Sequence, residues 1–157
     1  MKPKPFSKKI YITKPNLPDY NDFIKQIRTI WESKWLTNMG PKHEEFEKKL
    51  KSYLGVQNLS LFCNGTIALE CAISALELEG EIVTTPFTFA ATINSIILKG
   101  CKPIFCDIDP KSFNIAPEKI EELITDNTSA IMPVHVFGNP CKIEKIQKIA
   151  NNYNLKV

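Results

Sequence analysis

A chain of 157 residues that is 43% hydrophobic and 24% charged can build the core of an ordinary globular domain, and is too mixed to be disordered, collagenous or low-complexity. Its formal net charge of +3 comes from scattered lysines such as Lys48, Lys51, Lys142 and Lys148. No basic block or aromatic-basic interleaving accompanies them, which argues against nucleic acid as a partner. The charged N-terminal stretch leads into no apolar signal core and no run approaches a membrane span, so a cytoplasmic, non-membrane protein is expected.

In chain order, residues 1–17 lack periodicity, and Pro15 and Pro18 favour extended backbone, so they read as an N-terminal arm. Residues 18–157 read as one domain. From Asp19 onward, Phe23, Ile24, Ile27, Ile30 and Trp31 repeat at helical intervals as far as Ser33. A loop with bulky residues follows, and Pro41 opens a second helix. Its early glutamates suit the dipole, Phe46, Leu50, Tyr53 and Leu54 form an expected buried stripe, and Gly55 stops it.

Residues 59–63 read as a short buried strand, Asn64-Gly65-Thr66 as a turn, and Ile67, Ala68, Cys71, Ala72, Ala75 and Leu76 as a helix starting at or just after Thr66. Residues 81–85 form a strand ended by Pro86, and a helix then runs through Leu98 to Gly100. A strand at 102–106, a carboxylate-rich turn at 107–110 and a helix around 117–124 come next. A strand at 130–134, a loop at 135–140, a helix at 143–153 and a strand beginning at Leu155 complete the series. This alternation predicts an α/β fold of three layers, a mostly parallel sheet with helices on both faces. A last strand cut at its start leads to the expectation that these residues are the leading part of a longer chain.

The loops after parallel strands are where ligands gather in such a sheet. A helix beginning at Asn64-Gly65-Thr66 leaves its first amides unpaired and aims its positive end at the turn, which suits a phosphate. Gly65 allows close approach and the Thr66 hydroxyl can cap or bind. Asn-Gly is also a common hairpin turn, so an ordinary strand-to-helix junction is the competing reading. Phe89 is placed to lie against a flat heterocycle, with core filler as the alternative for both Phe87 and Phe89. His135 has either an acid-base role or a structural one. Asp109-Pro110 reads as turn chemistry. His43 has no second ligand at metal-binding spacing, so no metal is expected. The five cysteines contain no CxxC pair and read as reduced core residues.

Five ordered motifs together resemble the DegT/DnrJ/EryC1/StrS family of sugar aminotransferases. They are Leu36-Thr37-Asn38-Met39-Gly40-Pro41, Asn64-Gly65-Thr66-x-Ala68-Leu69, Thr85-Pro86-Phe87-Thr88-Phe89-Ala90-Ala91-Thr92, Pro103-Ile104-Phe105-x-Asp107-Ile108-Asp109-Pro110 and Pro133-Val134-His135-x-x-Gly138-Asn139-Pro140. Residues 31–38 and the Asn64 variant of the turn are most similar to members that aminate nucleotide-linked 4-keto-6-deoxy sugars. The resemblance implies the large domain of a fold-type I enzyme dependent on pyridoxal 5′-phosphate (PLP), truncated here. It further implies a homodimer, a nucleotide-sugar substrate and an amino-acid donor, glutamate.

By the same resemblance, Gly65 and Thr66 hold the cofactor phosphate and Phe89 stacks on its ring. Leu36, Thr37, Gly40 and Pro41 lie near the substrate, and His135 and Gly138 belong to a structural or near-site loop. The family's ring-nitrogen Asp and Schiff-base Lys match no motif in these residues, so no catalytic residue is assigned and the chain alone is expected to be inactive. A binding or dimerisation module of the same fold, or another phosphate-binding α/β domain, is the alternative.

Overall fold

The computed structural model describes residues 8, 10, 11 and 13–157, and the chain divides into two compact units, residues 1–61 and 62–157. Much of the expected arm lies outside the described residues. Residues 13–17 are exposed and carry no regular structure.

The first unit holds α1 (Tyr20–Ser33) and α2 (Pro41–Leu54). Asp19 caps α1, its Oδ1 accepting from the amides of Asn21 at 2.9 Å and Asp22 at 3.1 Å, which satisfies two of the orphan donors at a helix start. Pro41 occupies the first turn of α2, and Gly55 ends it in the left-handed region at φ 67°, where a β-carbon would be strained. The expected stripes are not buried: Trp31 is 80% and Tyr53 86% exposed. Two 14-residue helices offer too little surface to enclose both faces.

The second unit contains α3 (Gly65–Ala75), β1 (Glu81–Thr84), α4 (Ala90–Leu98), β2 (Lys102–Phe105), β3 (Thr128–Ile131) and α5 (Ile143–Asn152). The strands are parallel in the order β2-β1-β3. Lys156 bridges Ala130 in the same sense, so the chain re-enters the sheet outside β3. Because successive strand side chains face opposite ways, β1 divides the interior in two. Ile82 and Ala130 join Ile73 of α3, Ile96 of α4 and Cys101 on one face. Val83 and Ile131 join Cys106, Ile115, Ile120, Cys141 and, from α5, Ile146 and Ala150 on the other. The result is a small parallel α/β sheet with a packed core on each side.

Three expected elements differ. Residues 59–63 form no strand: among the described residues no strand pairs with this segment, and an extended segment without a pairing partner makes no ladder. The helix around 117–124 is two 3₁₀ turns, Pro117–Lys119 and Glu121–Leu123. So short a segment does not repay helix nucleation. The strand expected at 130–134 is displaced to Thr128–Ile131. The Thr128 hydroxyl accepts the Thr125 amide at 2.9 Å and starts it. The last ladder bond to β1 is from the Met132 amide to the Val83 carbonyl at 2.7 Å, and Pro133 offers no amide on the opposite edge, where Ile131 donates to Lys156. Among the described residues no helix is long and apolar enough to cross a membrane.

Gly80 and Gly100 separate two effects of glycine. Both have positive φ, 71° and 81°, but a β-carbon at Gly80 would lie 2.3 Å from the Asn127 carbonyl oxygen, whereas at Gly100 it would meet nothing within 4 Å. Gly100→Ala is expected to cost about 1 kcal/mol from backbone strain alone, and Gly80→Ala about 3 kcal/mol or more through added overlap. Urea denaturation of both variants checks this, and equal losses would refute the close approach at Asn127.

Candidate functional site

The chemistry-bearing residues of the second unit gather around the starts of α3 and α4. Asn64, in extended backbone at φ −160°, caps α3: its Oδ1 accepts the Ile67 amide at 3.0 Å and its carbonyl accepts the Ala68 amide at 3.3 Å. The helix thus begins at Gly65, with Asn64 rather than Thr66 as its cap. Among the described residues neither the amides of Gly65 and Thr66 nor the Thr66 hydroxyl has a hydrogen-bond partner. These donors lie at the positive end of the α3 dipole. A β-carbon at Gly65 would meet nothing within 4 Å, and Gly65 does not adopt positive φ. Folding therefore gives no reason for glycine there. The open space beside two unpaired amides is what an approaching phosphate ester needs, so the residues fit such a group. Ser95 of α4 lies against the start of α3: its hydroxyl donates to the Ala91 carbonyl at 2.7 Å and lies 3.3 Å from the Thr66 carbonyl.

Phe89 stands at the N-cap of α4 and is 82% exposed. Phe87 is the packed neighbour, stacked on Phe113 at 5.5 Å between centroids and meeting Phe137 edge-on at 6.4 Å. Neither ring is core filler: Phe87, 41% exposed, belongs to a surface aromatic cluster, and the ring of Phe89 is left free. Pro86, Phe87, Thr88, Phe89, Val134, His135, Val136 and Phe137 line a cleft of about 400 Å³.

The far wall of that cleft is held by a residue that sequence reasoning missed. Asn114 is only 4% exposed. Its Oδ1 accepts the Val136 amide at 2.9 Å, and its Nδ2 donates to the carbonyls of Asn139 at 3.0 Å and Pro140 at 3.1 Å. The only sequence signal was an amide side chain interrupting the apolar run of Phe113, Ile115 and Ala116. His135 is bound into the same loop, its Nδ1 accepting the Cys141 amide at 3.0 Å. Asp109 shapes the excursion that delivers Asn114: its Oδ1 accepts the amides of Ser112 at 2.8 Å and Lys111 at 2.9 Å. Those bonds, Ser112 first, hold its carboxyl below the usual carboxylate range. Asp107 faces away to an exposed pair with Lys119 at 2.7 Å, so the two carboxylates do not converge.

Leu36, Thr37, Gly40 and Pro41 line a separate cleft of about 460 Å³ in the first unit, with Trp35 and His43. Gly40 is buried there because the Trp35 ring lies 3.3 Å from where its β-carbon would stand. All five cysteines are free, but only Cys101, Cys106 and Cys141 are buried, and Cys63 and Cys71 are exposed. Cys63 falls in the segment that forms no strand, and Cys71 lies on the outer side of α3. Burial pushes the Cys106 thiol up to about 11.

Residues 19–157 match the DegT/DnrJ/EryC1/StrS aminotransferase family. The chain belongs to this family. Among its members, a dTDP-4-amino-4,6-dideoxy-D-glucose transaminase of Escherichia coli is 51% identical over 150 residues, 96% of this chain and 40% of that protein. Its counterpart from Shigella dysenteriae is 55% identical, over 96% of this chain and 41% of that protein. Of solved structures, DesI in the presence of its TDP-sugar product superposes with a TM-score of 0.89 at 33% identity, covering 96% of this chain and 38% of that one. The ntda protein of Bacillus subtilis with bound cofactor PMP superposes with 0.82 at 34% identity, covering 96% and 37%. The chain therefore spans about 40% of the length of the curated aminotransferases it matches.

Two outcomes are expected for this member of the family. Asn114→Ala removes a buried side chain with three backbone bonds and is expected to destabilise by about 2–3 kcal/mol, read by denaturant unfolding. In a thiol titration near pH 8, Cys63 and Cys71 are expected to react first. Cys106, protonated and enclosed, is expected to react only on unfolding, as mass mapping of alkylated peptides would show.

Proposed function

We propose that these residues are the leading part of the large domain of a fold-type I, PLP-dependent sugar aminotransferase. In this reading residues 1–17 are an arm and residues 18–157 the start of that domain. The complete enzyme moves an amino group from an amino-acid donor, glutamate, to the keto carbon of a dTDP-linked 4-keto-6-deoxy sugar. It works as a homodimer, with residues 36–41 near the substrate. Support comes from relatives at 51% and 55% identity that carry the name dTDP-4-amino-4,6-dideoxy-D-glucose transaminase. The observation that carries the reading is local: the unpartnered Gly65 and Thr66 amides open a glycine-lined space at the start of α3.

When bound, PLP supplies an electron sink for moving a proton between donor and acceptor carbons. The residues here contribute binding and orientation. The Gly65 and Thr66 amides and the Thr66 hydroxyl would take the phosphate oxygens, with the helix dipole favouring the charge. Phe89 would cover one face of the ring and exclude water from that side. No Lys or Asp of this chain matches the family's two catalytic motifs, so these residues by themselves bind without turnover.

Gly65→Ala separates folding from binding. Its stability is expected to stay within about 0.5 kcal/mol of the parent, because alanine suits a first helical turn and meets no neighbour. Its affinity for pyridoxamine 5′-phosphate (PMP) is expected to fall about tenfold or more as the methyl group enters the phosphate space. Calorimetric titration of the 157-residue chain, with ³¹P spectra of the ligand, tests this. Unchanged affinity in Gly65→Ala, or no PMP binding by the parent, would remove the assignment.

A further inference from the structure

Resting on that reading of the cradle, we infer that His135 donates a hydrogen bond from Nε2 to the oxygen substituent of the heteroaromatic ring covered by Phe89. Asn114 is the positioning residue that holds His135 on the cleft wall. The tautomer follows from geometry. A backbone N–H that meets an imidazole edge-on needs a lone pair, which a ring carbon lacks. The Cys141 amide 3.0 Å from Nδ1 therefore makes Nδ1 the acceptor and leaves the proton of the neutral ring on Nε2. Among the described residues Nε2 has no partner.

The cleft gives that donor its meaning. Its lining is apolar apart from Thr88 and His135, and the Thr88 hydroxyl already pairs with that of Thr92 at 2.8 Å. One unpaired side-chain donor on an aromatic wall is the pattern that orients a flat ring bearing a single acceptor at its rim. The wall is built at a conformational cost. Phe137 sits in the left-handed region at φ 52°, ψ 29°, where a bulky residue is an outlier, and it remains 92% exposed. Its place in the loop is enforced by the three bonds from Asn114 to residues 136, 139 and 140. Cys141 closes the other end, its thiol donating to the Val134 carbonyl at 3.1 Å.

The test is a set of titrations of the 157-residue chain and its variants with PMP, with the PMP analogue lacking the ring hydroxyl, and with dTDP. His135→Phe keeps a ring but removes the donor, and is expected to weaken PMP about tenfold while leaving the deoxy analogue unchanged. Asn114→Ala, checked for folding by circular dichroism, is expected to show the same split. Equal losses for PMP and analogue in that variant would make Asn114 structural only and remove it from the proposal. ¹⁵N spectra of the parent are expected to show the Nε2–H tautomer of His135, perturbed by PMP and not by the analogue. A loss confined to dTDP in His135→Phe would overturn the assignment in favour of a nucleotide base, and an Nδ1–H tautomer would overturn it outright. Thr66→Val serves as reference. If it weakens PMP while His135→Phe does not, this inference falls and the cradle stands. If the parent does not bind PMP, both fall.

Discussion

The second unit depends on β1 being paired along both edges. With β2 on one side and β3 on the other, its amides and carbonyls are satisfied without water, which permits a run of full burial through Ile82, Val83, Thr84 and Thr85. Burying Ile82 and Val83 each contributes about 1.5–3 kcal/mol by transfer alone. Because the two side chains point oppositely, that one strand seeds both cores. Even the polar end is closed, since the Thr84 hydroxyl donates to the Met132 carbonyl at 2.8 Å and the Thr85 hydroxyl accepts the Phe87 amide at 3.2 Å.

That arrangement also explains why the chemistry collects where it does. The chain leaves β1 through Pro86 and Phe87 and reaches α4 at its N-cap Phe89, while Ser95 of α4 lies against the start of α3. Leaving the amides of Gly65 and Thr66 unpaired is tolerable only because they face open space, where water or a ligand takes them. The opposite wall is organised differently. It has no strand to stiffen it, so Asn114 supplies the bonds that a ladder would have made, and the Asp109 turn brings that side chain into place. Rigid backbone bears one side of the cleft and a single buried amide group the other.

The first unit shows the same physics in deficit. Its helices are well begun and well ended, by Asp19, Pro41 and Gly55, yet Trp31 and Tyr53 remain in solvent. Capping depends on a few adjacent atoms and succeeds locally. Burial needs area, which a pair of short helices does not possess. The contrast with Ile82, enclosed on every side, is one of partners and not of intrinsic preference.

Sequence alone determined whatever a few neighbouring residues decide. Periodic apolar residues placed α1 and α3, the β-branched run placed β1, the alternation of strands and helices required a parallel sheet, and the spaced motifs carried the family. Three-dimensional geometry, part of it between distant residues, decided the rest. Whether residues 59–63 become a strand depends on an available edge, and where β3 begins depends on a bond between Thr125 and Thr128. That Asn64 caps α3 and leaves Thr66 free is a matter of three-dimensional geometry between side chain and backbone. The role of Asn114 lay furthest from view, since its partners stand more than twenty positions away, and hydrophobic patterning carries no information about which buried amide meets which distant carbonyl.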